Sequence, residues 1–237
     1  MSDGFDIKRE LAAGLSGRVG AWRFIRGFVS TWHEPLSAAD GWSSAELDAA
    51  GERLGVPLPT ALREAYQLFG RRDDLTSNHD SLLNPDELYL NDGALVFREE
   101  NQACAFWGIL SADLERPDPA VYVRADLADE SAENWEGWLD TFSTSCLEIV
   151  LAESMHAPEE LCDFMDGSDE PLSPVLEEHF TLLPFPAYPT SQPDSTTRWF
   201  ASPEAILRQD GDCLHVRART EDALEELREL IDGDWLG

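Results

Sequence analysis

A chain of 237 residues, 43% of them hydrophobic, carries enough apolar material for a packed core, and no run approaches the roughly 18 to 20 consecutive apolar residues of a membrane-spanning helix. Acidic residues outnumber basic ones 47 to 17, a formal net charge of −30. That charge opposes binding to nucleic acid or to an anionic membrane, where affinity comes from cations displacing counterions, and it steers a basic partner in, with association faster by ~10 to 10³-fold at low salt.

The amino terminus, MSDGFDIKRE, shows no basic stretch followed by an apolar one, so a soluble, cytoplasmic protein is expected. Cys104, Cys146, Cys162 and Cys213 lie far apart, which favours reduced thiols over a disulfide framework. Lys8 is the only lysine and the sixteen other basic residues are arginine. With abundant Ala, Gly and Asp this matches a GC-rich coding bias, so the acidity has a compositional explanation beside a functional one.

In chain order, Ala21, Trp22, Ile25, Phe28, Val29 and Trp32 recur at helical spacing and predict an amphipathic helix over 16–32. A linker follows from Pro35 to Asp40. Ser43-Ser44-Ala45-Glu46 has the form of a capping box opening a helix that ends at Gly55. Val56-Pro57-Leu58-Pro59 forces an extended elbow, after which Leu62, Ala65, Tyr66 and Phe69 form the stripe of a second helix closing at Gly70. The segment 71–83 reads as loop, and Asn84-Pro85-Asp86-Glu87-Leu88 as a single turn.

Val96 to Leu110, VFREENQACAFWGIL, is apolar at both ends and predicts the central hairpin, with Arg98 to Gln102 as its turn. Ala103, Ala105, Trp107 and Ile109 alternate with Cys104, Phe106 and Gly108, and neither face carries a charge, which places this strand inside a sheet, with Trp107 in the core. A further strand is expected at 120–124. Asp126, Asp129, Glu130, Glu133, Glu136 and Asp140 then surround Trp135 and Trp138: an acidic loop with two aromatic anchors that either pin it to the domain or meet a partner. Thr141 to Met155 reads as a well-buried helix. A second acidic segment runs through Asp163, Asp166, Asp169 and Glu170 into the proline-rich LLPFPAYP, whose prolines demand extended backbone. Strands near 198–200, at 205–209 and at 213–218, the last two joined by Asp210-Gly211, precede a final helix from Thr220.

Motifs for catalysis are absent. Cys146, His156 and Cys162 lack zinc-type spacing, and Asp163, Asp166, Gly167 and Asp169 lack the alternating acids of a calcium loop. The five histidines are scattered, with His215 on the outward face of a strand. No GxSxG elbow, HExxH pair or phosphate-binding glycine loop occurs. No catalytic residue, metal or cofactor is expected.

The capped helix, GVPLPTALREAYQLFG, NPDEL, ALVFREENQACAFWGI, AVYVR and the tryptophan before DTFSTSCLEIVLA together resemble the SMI1/KNR4 family, the SUKH superfamily, over Gly41 to Leu151. The most specific parts are Leu58-Pro59 with Leu62, Tyr66, Phe69 and Gly70, and Glu100-Asn101-Gln102 ahead of Phe106-Trp107-Gly108. The resemblance implies an α+β fold with a twisted, largely antiparallel sheet packed by helices. The chain is expected to divide into a helical extension (1–40), the SMI1/KNR4-like core (41–155) and an acidic, proline-rich linker with a terminal hairpin and helix (156–237) packed on the same domain. It also implies a non-catalytic role: a bacterial immunity protein that neutralises a cognate toxin, often a nuclease, or, as in fungal members, a regulatory scaffold. A hydrolase using an unrecognised carboxylate pair is the remaining alternative. The expected partner is a basic toxin domain, met by Asp126, Asp129, Glu130, Glu133, Trp135, Glu136, Trp138 and Asp140.

Overall fold

The structure, a computed structural model, describes residues 4–128, 132–166, 172–189 and 196–236. Asp6 caps α1 (Ile7–Gly14) by accepting from the Arg9 amide at 3.0 Å. The chain turns at Gly17, φ 143°, into α2 (Arg18–Trp32), which buries Ala21, Phe24, Ile25, Phe28 and Val29. Helix α3 (Ser44–Leu54) opens on the reciprocal Ser43/Glu46 capping box and stops at Gly55 in the left-handed region, φ 70°. Next, α4 (Thr60–Phe69) buries Leu62, Ala65, Tyr66 and Phe69, and the short α5 (Asp73–Thr76) follows.

The first sheet is antiparallel. Its strands β1 (Ser81–Leu82), β2 (Tyr89–Asn91), β3 (Ala94–Glu99), β4 (Ala105–Leu110), β5 (Val121–Ala125) and β6 (Glu136–Leu139) take the order β1-β3-β4-β5-β6, with β2 also pairing β3. The β3–β4 hairpin thus sits in the middle of its sheet. Helix α6 (Phe142–Glu153) follows, capped by Thr141, and eleven of its twelve residues are buried. A helix enclosed on every side belongs at the centre of a fold.

The second sheet is built from β7 (Cys162–Met165), β8 (Thr181–Leu182), β9 (Thr197–Ala201), β10 (Ala205–Asp210) and β11 (Cys213–Ala218) in the order β7-β11-β10-β9-β8. Two helices accompany it, α7 (Ser173–His179) and α8 (Glu221–Leu230). Alternation along its strands divides its apolar residues between two faces. Trp199, Ala201 and Ile206 join the main core with α2, α4, α6 and the first sheet, while Phe200, Leu207, Leu214 and Val216 pack with Leu176 of α7 and with Leu224 and Leu227 of α8. The fold is α+β, with two antiparallel sheets. Segment 1–40, read from sequence as an extension, contributes the buried face of α2 to the main core.

Three expectations are corrected. Arg98, assigned to the hairpin turn, lies in β3 opposite Trp107 and is 2% exposed; the turn begins at Glu100. The acidic segment after Pro158 is not all linker, because Cys162 to Met165 pair with β11 through Leu214↔Met165 and Val216↔Asp163. The 126–140 region is not all loop, because Glu136 to Leu139 form the edge strand beside β5.

Candidate functional site

The acidic region splits into residues that fold the chain and residues that face water. Asp129 and Glu130 lie outside the described residues. Glu133 accepts from the Leu127 amide at 3.1 Å and from Arg124 at 2.6 Å, and these bonds hold its carboxyl below the usual carboxylate range, the backbone bond first. Arg124 is also paired with Asp92. Trp138 is buried, with its ring edge-on to Trp107 at 5.7 Å and to Tyr188 at 5.4 Å. Trp135 is half-buried, with the far edge of its indole packed against Gly108. Both tryptophans pack against the sheet, Trp138 from within β6 and Trp135 from the residue before it. Trp107 is itself only half-buried, covered by the Arg98 guanidinium 4.7 Å from its ring. Asp126, Glu136 and Asp140 remain exposed on this edge.

Behind it lies a buried charge centre that spacing in the sequence did not disclose. Arg98 donates from Nη1 to Glu148 at 2.9 Å and from Nη2 to Glu153 at 2.8 Å, and its Nη2 also lies 3.1 Å from Asp80. Glu148 accepts in turn from the Tyr188 hydroxyl at 3.1 Å and faces Arg208 at 3.9 Å. Glu153 receives the His79 amide at 2.7 Å. Burial works against the Arg98 charge, but Glu148, Glu153 and Asp80 outweigh it and raise its pKa. Burial lifts the Glu148 carboxyl despite the opposing pull of Arg98. A charged residue inside each of two apolar segments, Arg98 in the hairpin and Glu148 in the helix, was the available sequence signal.

Three of the scattered histidines converge beside this centre. The His79 and His156 rings stack at 4.3 Å, His156 meets His215 at 5.5 Å, and His215 stacks on Phe164 at 5.8 Å. The outward surface position expected for His215 is corrected: it is half-buried between β7 and β10, facing Phe164 and Arg208. Burial is the main cause that holds His156 down to about 3 and His215 to about 4. Cys146 is buried on α6, the Cys162 thiol donates to the Ser154 carbonyl, and the Asp163 carboxylate turns inward to Arg228 at 2.6 Å. Gly167 and Asp169 lie outside the described residues.

Most of the arginines are engaged by the chain's own acceptors, some of them on the surface, as at Arg9, Arg71 and Arg116. Eleven arginines are ion-paired: 9, 18, 63, 71, 72, 98, 116, 124, 198, 208 and 228. Arg53, Arg217 and Arg219 donate to main-chain carbonyls. On the outside, α8 turns Leu224 and Leu227 inward and presents Glu221, Asp222, Glu225, Glu226 and Glu229 to water, with Leu230 and Leu236 exposed nearby in sequence. Among the described residues no helix is long and apolar enough to cross a membrane. No protein-family model, curated protein or solved structure matches this chain.

Proposed function

We propose that this chain is a non-catalytic protein-binding protein of the SMI1/KNR4 kind, a bacterial immunity protein that neutralises a basic toxin domain, with a nuclease as the preferred target. The observation that carries the reading is the charge balance: 47 acidic residues stand against 17 basic ones, and fourteen of the sixteen arginines, buried or exposed, already hold carboxylates or carbonyls of this chain, so the uncompensated charge is negative. A surface of this kind competes with phosphate for the lysines and arginines of a nuclease. The order of α3, α4, the β3–β4 hairpin, β5 and α6 supports the family part of the reading.

Two exposed acidic faces are candidates for the contact: the β5–β6 edge with Asp126, Glu136 and Asp140, and the outer face of α8 with Asp222, Glu226 and Glu229. The α8 face is preferred because its acids share one helical stripe. Affinity capture with the full chain from the native lysate, at about 50 and 500 mM salt, tests the function, since these strengths screen long-range charge differently. One basic protein with a nuclease-like domain, held less well at high salt, is the expected result. Many weak partners, or none, would overturn it. Amide replacement of the α8 set should weaken that capture more than replacement of the β5–β6 set.

A further inference from the structure

Beyond a binding role, and without depending on it, the geometry points to a divalent metal site of zinc type formed by His79, Asp80 and Glu100. These residues come together through strand register. β1 pairs with β3 as Ser81↔Glu99 and Leu82↔Arg98, so one step outward places Asp80 across from Glu100, at the mouth of the hairpin turn. One ring nitrogen of His79 and one oxygen from each carboxylate lie within 4.8 Å of one another. Ligands bound to zinc at about 2.0 to 2.2 Å stand closer together than that, so closing the site takes a modest side-chain rotation. His79 is exposed and can supply it.

The second observation is an unanswered atom. Asp80 Oδ2 is engaged by Arg98 at 3.1 Å, while Asp80 Oδ1 is buried without a hydrogen-bond partner. A buried carboxylate oxygen left bare is costly, and a cation would satisfy it. The supporting interactions are already in place. Glu100 Oε2 is fixed by the amides of Gln102 at 2.8 Å and Cys104 at 3.0 Å, and the Asp80 and His79 amides both point at Glu153. The His79 ring stacks on His156 at 4.3 Å, and the neutral Asn101 amide lies 3.2 Å from its Nδ1. One imidazole with two carboxylates suits zinc and its neighbours in the first transition row. Calcium and magnesium prefer all-oxygen shells.

Calorimetric titration of the metal-stripped full chain with Zn²⁺, with Co²⁺ absorption as a second readout, tests the site. The expected result is saturable uptake of one equivalent. His79→Ala and Glu100→Gln, both outside the packed core, should each weaken it by at least about tenfold, while His179→Ala, an exposed histidine on α7, should leave it unchanged. Absence of saturable uptake by the unaltered chain, or uptake by either site variant equal to that of the unaltered chain, would overturn the assignment.

Discussion

His33 shows how one side chain is set by what surrounds it. Its Nε2 lies 2.9 Å from Arg217 Nη1 and 2.8 Å from Ser154 Oγ, and Nδ1 faces Asp74 at 3.8 Å. A guanidinium only donates, so Nε2 is the bare acceptor and Nδ1 carries the proton. Burial first, and then Arg217, brings the His33 pKa down from 6.5 to about 4, against the opposing pull of Asp74. Between those two values the unfolded chain takes up a proton that the folded chain refuses, so stability contributed here is present above about pH 6.5 and is lost as pH falls towards 4. His33→Gln should flatten that dependence, read as urea midpoints at pH 7.5, 6 and 5; equal slopes for the two proteins would refute it. The Arg98 centre operates at the same scale with higher stakes, since removing one partner from a buried ion pair costs about 3 to 5 kcal/mol.

Among the elements, the edge strand β6 depends on a glycine. A Cβ on Gly108 would stand 2.9 Å from Trp135 Cη2, 3.0 Å from Cζ3 and 3.2 Å from the Ala94 Cβ. Gly108→Ala should therefore destabilise the protein by about 1 to 3 kcal/mol. The same substitution in a Trp135→Ala background should cost less, a coupling that a double-mutant cycle in urea would read. Elements with strong local signals were legible in the sequence: the Ser43/Glu46 box of α3, the stripe of α4, the apolar run of α6 and the turn at Gly211, which joins β10 to β11. Those that escaped have weak ones. β1 and β8 have two residues each, β7 is interrupted by Asp163, and α1 and α7 are short helices in polar stretches. The candidate metal site was illegible for another reason: Asp80 and Glu100 meet only through β1–β3 pairing, and no spacing rule reports a register.

For the whole molecule, the sharing of Trp199, Ala201 and Ile206 with the main core ties the second sheet to the first. Heat should then unfold the chain in one transition, with tryptophan fluorescence and far-ultraviolet circular dichroism coinciding. Its midpoint should rise between about 50 and 500 mM salt as the repulsion of a −30 surface is screened. A separate early transition would show that the sheets are independent. The division of charge also separates two kinds of duty along the chain. Carboxylates such as Glu148 and Glu133 hold arginines and cannot change without loss of packing, whereas Asp222, Glu226 and Glu229 are exposed on α8 and make no ion pair or side-chain hydrogen bond among the described residues. Exchanges at such positions ordinarily alter stability by no more than about 0.5 kcal/mol. The sequence of this outer face can therefore drift one residue at a time while the scaffold stays as it is.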